Sequence, residues 1–132
     1  MAKVLVVDDS MTQRQILSTM LEKMGLTVLI ATDGVDALDK VQGSEPDMVM
    51  LDIVMPRMNG YEVCRKIKSD PRTQHIPVVI CSSKSEEFDC YWGMKQGADA
   101  YLAKPFTPAE LLNTIQKLMH SYQGIDRDKH LC

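Results

Sequence analysis

Apolar positions along the chain alternate between two rhythms. Five short runs are apolar after at most one leading polar residue: Lys3–Val7, Thr27–Ala31, Met48–Leu51 ending in Asp52, Val78–Cys81 and Ala100–Ala103. Runs this short, closed by polar or turn residues, predict strands buried on both faces of a parallel sheet. Between them the apolar residues recur at helical spacing. Ile16, Leu17, Met20, Leu21 and Met24 predict a first helix stopped by Gly25, and Ala37, Leu38 and Val41 a second, broken by Gly43-Ser44-Glu45-Pro46. Val63, Cys64 and Ile67 predict a third, opened by Asn59-Gly60 and closed by Ser69-Asp70-Pro71. A fourth is expected after Ser85 as cap, with Glu86 and Glu87 in its first turn and Gly97 at its end. The fifth opens on Thr107-Pro108-Ala109-Glu110, a capping box with proline at the first helical position, and carries Leu111, Leu112, Ile115, Leu118 and Met119 inward.

Five strand–helix units in strict alternation predict an α/β fold with a five-stranded parallel sheet and helices on both faces. Right-handed crossovers leave few topologies, of which the flavodoxin-like (βα)5 order 2-1-3-4-5 suits this length. It sets the first and third strands side by side at the switch point where ligands bind. Residues 1–120 are expected to form one domain. The segment 121–132 is polar and aperiodic and reads as a flexible tail.

Composition narrows the function classes. The 132 residues carry 15 basic and 18 acidic side chains, a net charge of −3 without blocks of one sign. That pattern offers no footprint for nucleic acid or for an anionic membrane. No apolar run approaches the ~20 residues of a spanning helix, and the opening residues turn acidic at once instead of forming a signal peptide. A cytoplasmic location, without membrane insertion, is therefore expected. The four cysteines form no C-x-x-C pair, and no Cys/His spacing resembles a zinc site. Cys64 and Cys81 lie in apolar segments and read as small core residues.

The chemistry lies at the strand ends. In a parallel sheet all C-terminal ends share one edge. There the first strand delivers Asp8-Asp9, the third Asp52, the fourth Ser82-Ser83 and the fifth Lys104-Pro105. Each has a bland reading alone: Asp8 and Asp9 as helix caps, Asp52 as a cap or turn residue, Ser82 as a turn residue, Lys104 as a surface charge. Convergence from four strand ends outweighs those readings. Clustered carboxylates repel unless a cation or proton intervenes. Hard oxygen donors without His or Cys suit Mg²⁺ or Mn²⁺. A carboxylate can act as nucleophile in phosphoryl transfer, and the transferred group needs a cation, a lysine and a hydroxyl around its oxygens. The set supplies Asp52 as nucleophile, Asp8 and Asp9 for the metal, and Lys104 and Ser82 for the phosphoryl oxygens.

With these motifs in order, the sequence resembles the response-regulator receiver family, of the single-domain CheY-like type. The resemblance spans roughly residues 3 to 120. It rests on Val6-Val7-Asp8-Asp9-Ser10, on Asp52 with Met55-Pro56-Arg57-Met58-Asn59-Gly60, on Ser82, on Tyr101 and on Lys104-Pro105-Phe106. It implies that Asp52 accepts phosphate from a histidine kinase or phosphotransfer domain. It also implies that Asp9, Asp52 and the Val54 carbonyl bind Mg²⁺ directly, with Asp8 acting through a bound water. Lys104 would pair with Asp52 or its phosphoryl group, and the Lys104–Pro105 bond would be cis. Ser82 would hydrogen-bond the phosphoryl group, and Tyr101, otherwise an ordinary sheet aromatic, would turn inward with it. The protein would catalyse only its own phosphorylation and dephosphorylation, and would not be an enzyme acting on a separate metabolite. Val54 and Lys84, where many relatives carry other residue types, flank the path of the attacking water and are expected to tune the phosphoryl lifetime.

The fourth helix carries Phe88, Tyr91, Trp92 and Met94. An aromatic cluster at helical spacing is ordinarily core, so core contact is the first expectation and contact with an output protein the second. The run Tyr91-Trp92-Gly93-Met94-Lys95-Gln96-Gly97-Ala98 also resembles receivers of pilus-type chemotaxis systems, which implies control of type IV pilus motility or phototaxis, as a monomer or a weak phosphorylation-dependent dimer. A phosphate sink or relay without an output partner is the alternative. A phosphatase of the haloacid dehalogenase type is disfavoured, because it needs a second Asp where Val54 stands. A flavin carrier is disfavoured because Asp8-Asp9 would repel the flavin phosphate.

Overall fold

The structure is a computed structural model that describes residues 2–119; the polar segment 121–132 and its expected flexibility lie outside the described residues. In chain order the elements are β1 (Lys3–Val7), α1 (Met11–Lys23), β2 (Thr27–Ala31), α2 (Gly34–Ser44), β3 (Met48–Leu51), α3 (Gly60–Ser69), β4 (Val78–Ser82), α4 (Glu87–Lys95), β5 (Ala100–Ala103) and α5 (Pro108–Leu118). The strands form one sheet in the order β2-β1-β3-β4-β5, every pairing parallel. The expected doubly wound fold is thus the observed one.

The continuous apolar runs divide by parity. Leu5, Val7, Val49, Leu51 and Ile80 join Val63 and Ile67 of α3 in one buried cluster. Val4, Val6, Met48, Met50 and Val79 join Leu21 of α1 and Leu111 and Ile115 of α5 in another. Side chains on a strand alternate faces, so a central strand covered by helices on both sides must be apolar at every position. β3 meets that condition, with all four residues buried, whereas edge strand β2 is mostly part-exposed.

Helix starts follow their caps. The side chains of Ser10, Asp33, Asn59 and Thr107 accept from the backbone N–H groups of Gln13, Asp36, Glu62 and Glu110. α4 departs from expectation. Its cap is Glu86, not Ser85, because Asp89 reaches back to accept the Glu86 N–H at 3.1 Å. The corresponding residue for a Ser85 cap would be Phe88, which has no acceptor. Gly25 and Gly97, just beyond α1 and α4, have φ of +82° and +101°, the left-handed region that glycine enters without a Cβ penalty. Among the described residues no helix is long and apolar enough to cross a membrane.

Candidate functional site

Hydrogen bonds along the sheet tie together the ends of four strands at the site. The Asp52 N–H donates to the Val7 carbonyl at 3.0 Å, which ties the end of β3 to the end of β1. The Lys104 N–H donates to the Ser82 carbonyl at 2.8 Å, which ties the end of β5 to the end of β4. The Lys104–Pro105 peptide bond is cis. On the far side of β3, Gly60 donates its N–H to the Ile53 carbonyl at 2.8 Å, and a Cβ on it would lie 2.1 Å from the Asp52 carbonyl oxygen. Only glycine lets α3 begin this close to the strand end.

These elements wall a cavity of about 610 Å³. Asp8, Asp9, Asp52, Val54, Ser83 and Lys104 line one part of it, and Ile16, Leu17, Met20 and Phe106 form an apolar wall beside them. Asp8 is buried. One of its oxygens accepts from the Ser10 N–H at 2.9 Å and the other from the Lys104 ammonium at 2.9 Å. The same ammonium lies 3.8 Å from an Asp52 oxygen. The other Asp52 oxygen accepts from the Ile53 N–H at 2.7 Å. Asp9 is exposed at the mouth. The expected carboxylates, Val54 and Lys104 therefore share one cavity.

The three carboxylates do not form a ready-made cage. Among the described residues no group of three or more His, Cys, Asp or Glu side chains is gathered closely enough to hold a metal. The Lys104 ammonium lies within 4 Å of both Asp8 and Asp52 and offsets their mutual repulsion. The donor chemistry still fits a hard divalent cation. All the donors are oxygens, and Mg²⁺ keeps several waters and takes only one or two carboxylates, so it does not require a complete protein cage.

Ser82 lies deeper than its neighbour. Its side chain is buried, and the cavity wall at this strand end is Ser83. The Ser82 oxygen accepts from the Lys84 N–H at 3.2 Å. Tyr101 is already turned inward: it is buried, and its hydroxyl donates to the Lys84 carbonyl. Burial raises the Tyr101 pKa, with further increases from Tyr61 and Asp89, so the hydroxyl stays protonated. Val54, which lines the cavity, and Lys84, which does not, are both exposed.

Two features were not read from the sequence. Arg57, at φ +68°, donates to the Asp33 carboxylate and ties the loop after Asp52 to the start of α2. The Asp36 N–H and the Arg57 guanidinium hold the Asp33 carboxyl below its ordinary value against opposition from desolvation. Tyr61, in the first turn of α3, places its hydroxyl on α4 at the Asp89 carbonyl. Neither pair carries a local signal, since each links residues 24 or more apart in sequence. The core expectation for the α4 aromatics is overturned. Phe88, Tyr91 and Trp92 are exposed, Phe88 and Trp92 stack at 6.3 Å, and the only buried residue of the helix is Gly93. α4 approaches the sheet at Gly93 and packs Cys90 and Met94 part-buried against the core, so its three aromatic side chains lie on the other side.

The sequence profile of the response regulator receiver domain matches residues 4–116. The chain belongs to the response regulator receiver family. It is 42% identical over 124 residues to Protein PilG of Pseudomonas aeruginosa, covering 94% of this chain and 92% of that one. It is 44% identical over 119 residues to Protein PilH of the same organism, covering 90% and 98%. Among solved structures, the Vibrio cholerae chemotaxis protein CheY4 superposes with a TM-score of 0.84 at 35% identity, covering 90% of this chain and 99% of that one. This receiver is accordingly a phosphorylation-switched response regulator akin to those of chemotaxis-type systems.

Proposed function

We propose that Asp52 is the phosphoacceptor and that the four strand ends around it are the parts of one self-modifying site. An Asp52 carboxylate oxygen attacks the phosphorus of a phosphohistidine on a histidine kinase or phosphotransfer domain. The P–N bond breaks and its electron pair leaves with the imidazole. What supports this reading most is the single Lys104 ammonium spanning Asp8 and Asp52 at 2.9 and 3.8 Å beside an open cavity. A cation there meets the charge that develops on the phosphoryl oxygens. Asp9, Asp52 and the Val54 carbonyl would hold Mg²⁺, with Asp8 acting through a bound water. When bound, the metal neutralises charge on the phosphoryl group. Ser82 turns its hydroxyl to a phosphoryl oxygen, and Tyr101 and α4 respond to it. Hydrolysis of the aspartyl phosphate then resets the site, at a rate tuned by Val54 and Lys84. Decay of the phosphorylated Val54→Asn and Lys84→Glu variants checks that last role, and unchanged lifetimes would refute it.

The output is proposed to run through the face around α4 and β5 to a protein partner in a pilus-type chemotaxis pathway. The run Tyr91–Ala98 and the likeness to PilG and PilH support that pathway. Residues 1–120 would act as the receiver unit, within the cytoplasm. The decisive experiment is intact mass after incubation with Mg²⁺ and acetyl phosphate. A labile gain of one phosphoryl group, absent in Asp52→Asn, is expected. No gain in the wild type, while a control receiver is labelled, would overturn the reading.

A further inference from the structure

The helix that carries the exposed aromatics also carries a cysteine whose state differs from the others. Cys90 is held in a disulfide. The chain has four cysteines, Cys64, Cys81, Cys90 and Cys132. Cys64 and Cys81 are free and buried, in α3 and β4. That leaves Cys132, which belongs to the segment 120–132 outside the described residues.

Cys90 sits between two faces of α4. With Met94, one turn on, it packs part-buried against the core. Its neighbours Phe88, Tyr91 and Trp92 are 69%, 56% and 44% exposed. Large apolar side chains grouped on a surface mark a face that something covers. Segment 120–132 is long enough to do so. α5 ends at Leu118 on the opposite side of the sheet from α4. Fully extended, the residues 120–132 reach about 43 Å, against ~30 Å for the diameter of a small domain. The side chains just before Cys132 are Lys129, His130 and Leu131, and the charged ones just before Cys90 are Glu86, Glu87 and Asp89. Joining the two cysteines therefore brings a basic end to an acidic turn, and a leucine to the aromatics.

We propose that Cys90 and Cys132 form a reversible disulfide that straps segment 120–132 over the aromatic face of α4. Forming the bond takes two protons and two electrons from the two thiols. A small disulfide of the glutathione type accepts them. One cysteine thiolate attacks it and expels a first glutathione thiolate, and the other cysteine attacks the mixed disulfide and expels the second. The reverse exchange with reduced glutathione opens the strap. A linker of this length holds its end at an effective concentration on the order of millimolar. The ring therefore closes in preference to storing the mixed disulfide, yet an abundant small thiol reopens it. A bond with that balance suits redox sensing better than structural stapling. Its effect on signalling rests on α4 as the output face proposed above, whereas the bond itself does not.

The test compares the full chain after oxidised glutathione, after dithiothreitol, and after the first followed by the second, with Cys132→Ser alongside. After oxidation, intact mass is expected to show a monomer lacking two hydrogens. Trypsin in denaturant without reductant should leave residues 85–95 joined to residues 130–132, with Cys64 and Cys81 unlinked. Trp92, the only tryptophan, should shift its emission to shorter wavelength on oxidation and become less accessible to acrylamide. Dithiothreitol should reverse both changes, and Cys132→Ser should show neither. A stable mixed disulfide at Cys90, a disulfide-linked dimer, or a link through Cys64 or Cys81 would overturn the pairing. A link between Cys90 and Cys132 with Trp92 equally accessible in both states would overturn the strap. Asp52 labelling by acetyl phosphate, measured in both states, keeps the two readings apart: its absence in both refutes the phosphoacceptor and leaves the disulfide result standing.

Discussion

Lys104 reaches Asp8 at 2.9 Å and Asp52 at 3.8 Å through a side chain that is largely shielded from solvent. One positive charge thus stands where two carboxylates would otherwise repel and where a phosphoryl group would bring more negative charge. Replacing it with Ala removes a preorganised cation, a change that in comparable sites slows reaction by roughly 10²-fold. Lys104→Ala should therefore lower the initial rate of Asp52 labelling by acetyl phosphate by about that factor, measured by intact mass. The thiols make a contrasting case at the same scale. Burial pushes Cys64 and Cys81 up to about 12, and Cys64 donates to the Gln96 carbonyl at 3.6 Å. The thiolate is the reactive form. Neither residue should react with a thiol reagent at pH 8 until the protein unfolds, as counted by mass with and without denaturant.

At the scale of elements, most of the fold was legible. The strand runs, the caps at Asn59 and Thr107, and the glycine stops at Gly25 and Gly97 are local signals, and local signals survive into the structure. The Thr107 capping box is complete, with Glu110 accepting the Thr107 N–H at 2.9 Å. Thr107→Ala should cost about 1 kcal/mol in denaturant unfolding. α4 was the element least legible, in both its cap and its inward face. Periodicity could not show that a nine-residue helix would turn Gly93, Cys90 and Met94 inward and its aromatics outward, since that depends on how closely α4 approaches β5. The α3 start is the converse case. Asn59-Gly60 reads as an ordinary helix opening, but the 2.1 Å distance from a Cβ on Gly60 to the Asp52 carbonyl makes it a site residue as well. Gly60→Ala must move either α3 or the strand end. It should lower stability by about 2 kcal/mol or more and impair Asp52 labelling, whereas Gly43→Ala, which meets nothing within 4 Å, should do neither.

Over the whole molecule, the groups with raised pKa values share one sign. Cys64 and Cys81, ordinarily near 9.0, and Tyr61 and Tyr101, ordinarily near 10.0, all hold their protons more tightly folded than unfolded. Above pH 9 the unfolded chain releases these protons first, so stability is fully present below pH 9 and declines as pH rises toward 12. Urea midpoints between pH 8 and pH 11 should fall steadily, and Tyr61→Phe should make the decline shallower. A midpoint that stays level across that range would contradict the assignment.

The sequence alone determined the order of elements, the parallel sheet and the residues delivered to its C-terminal edge. Those follow from apolar periodicity, caps and stops, which act within a few residues of each other. Only tertiary structure decided what those residues do to one another. Lys104 lies 96 residues from Asp8 and Tyr61 28 from Asp89, and whether such groups meet depends on strand order and helix approach, not on local pattern. Hence Ser82 proved buried behind Ser83, Tyr101 already faced inward, and the aromatics of α4 faced outward. Each outcome is set by the distance at which one packed layer stops against the next.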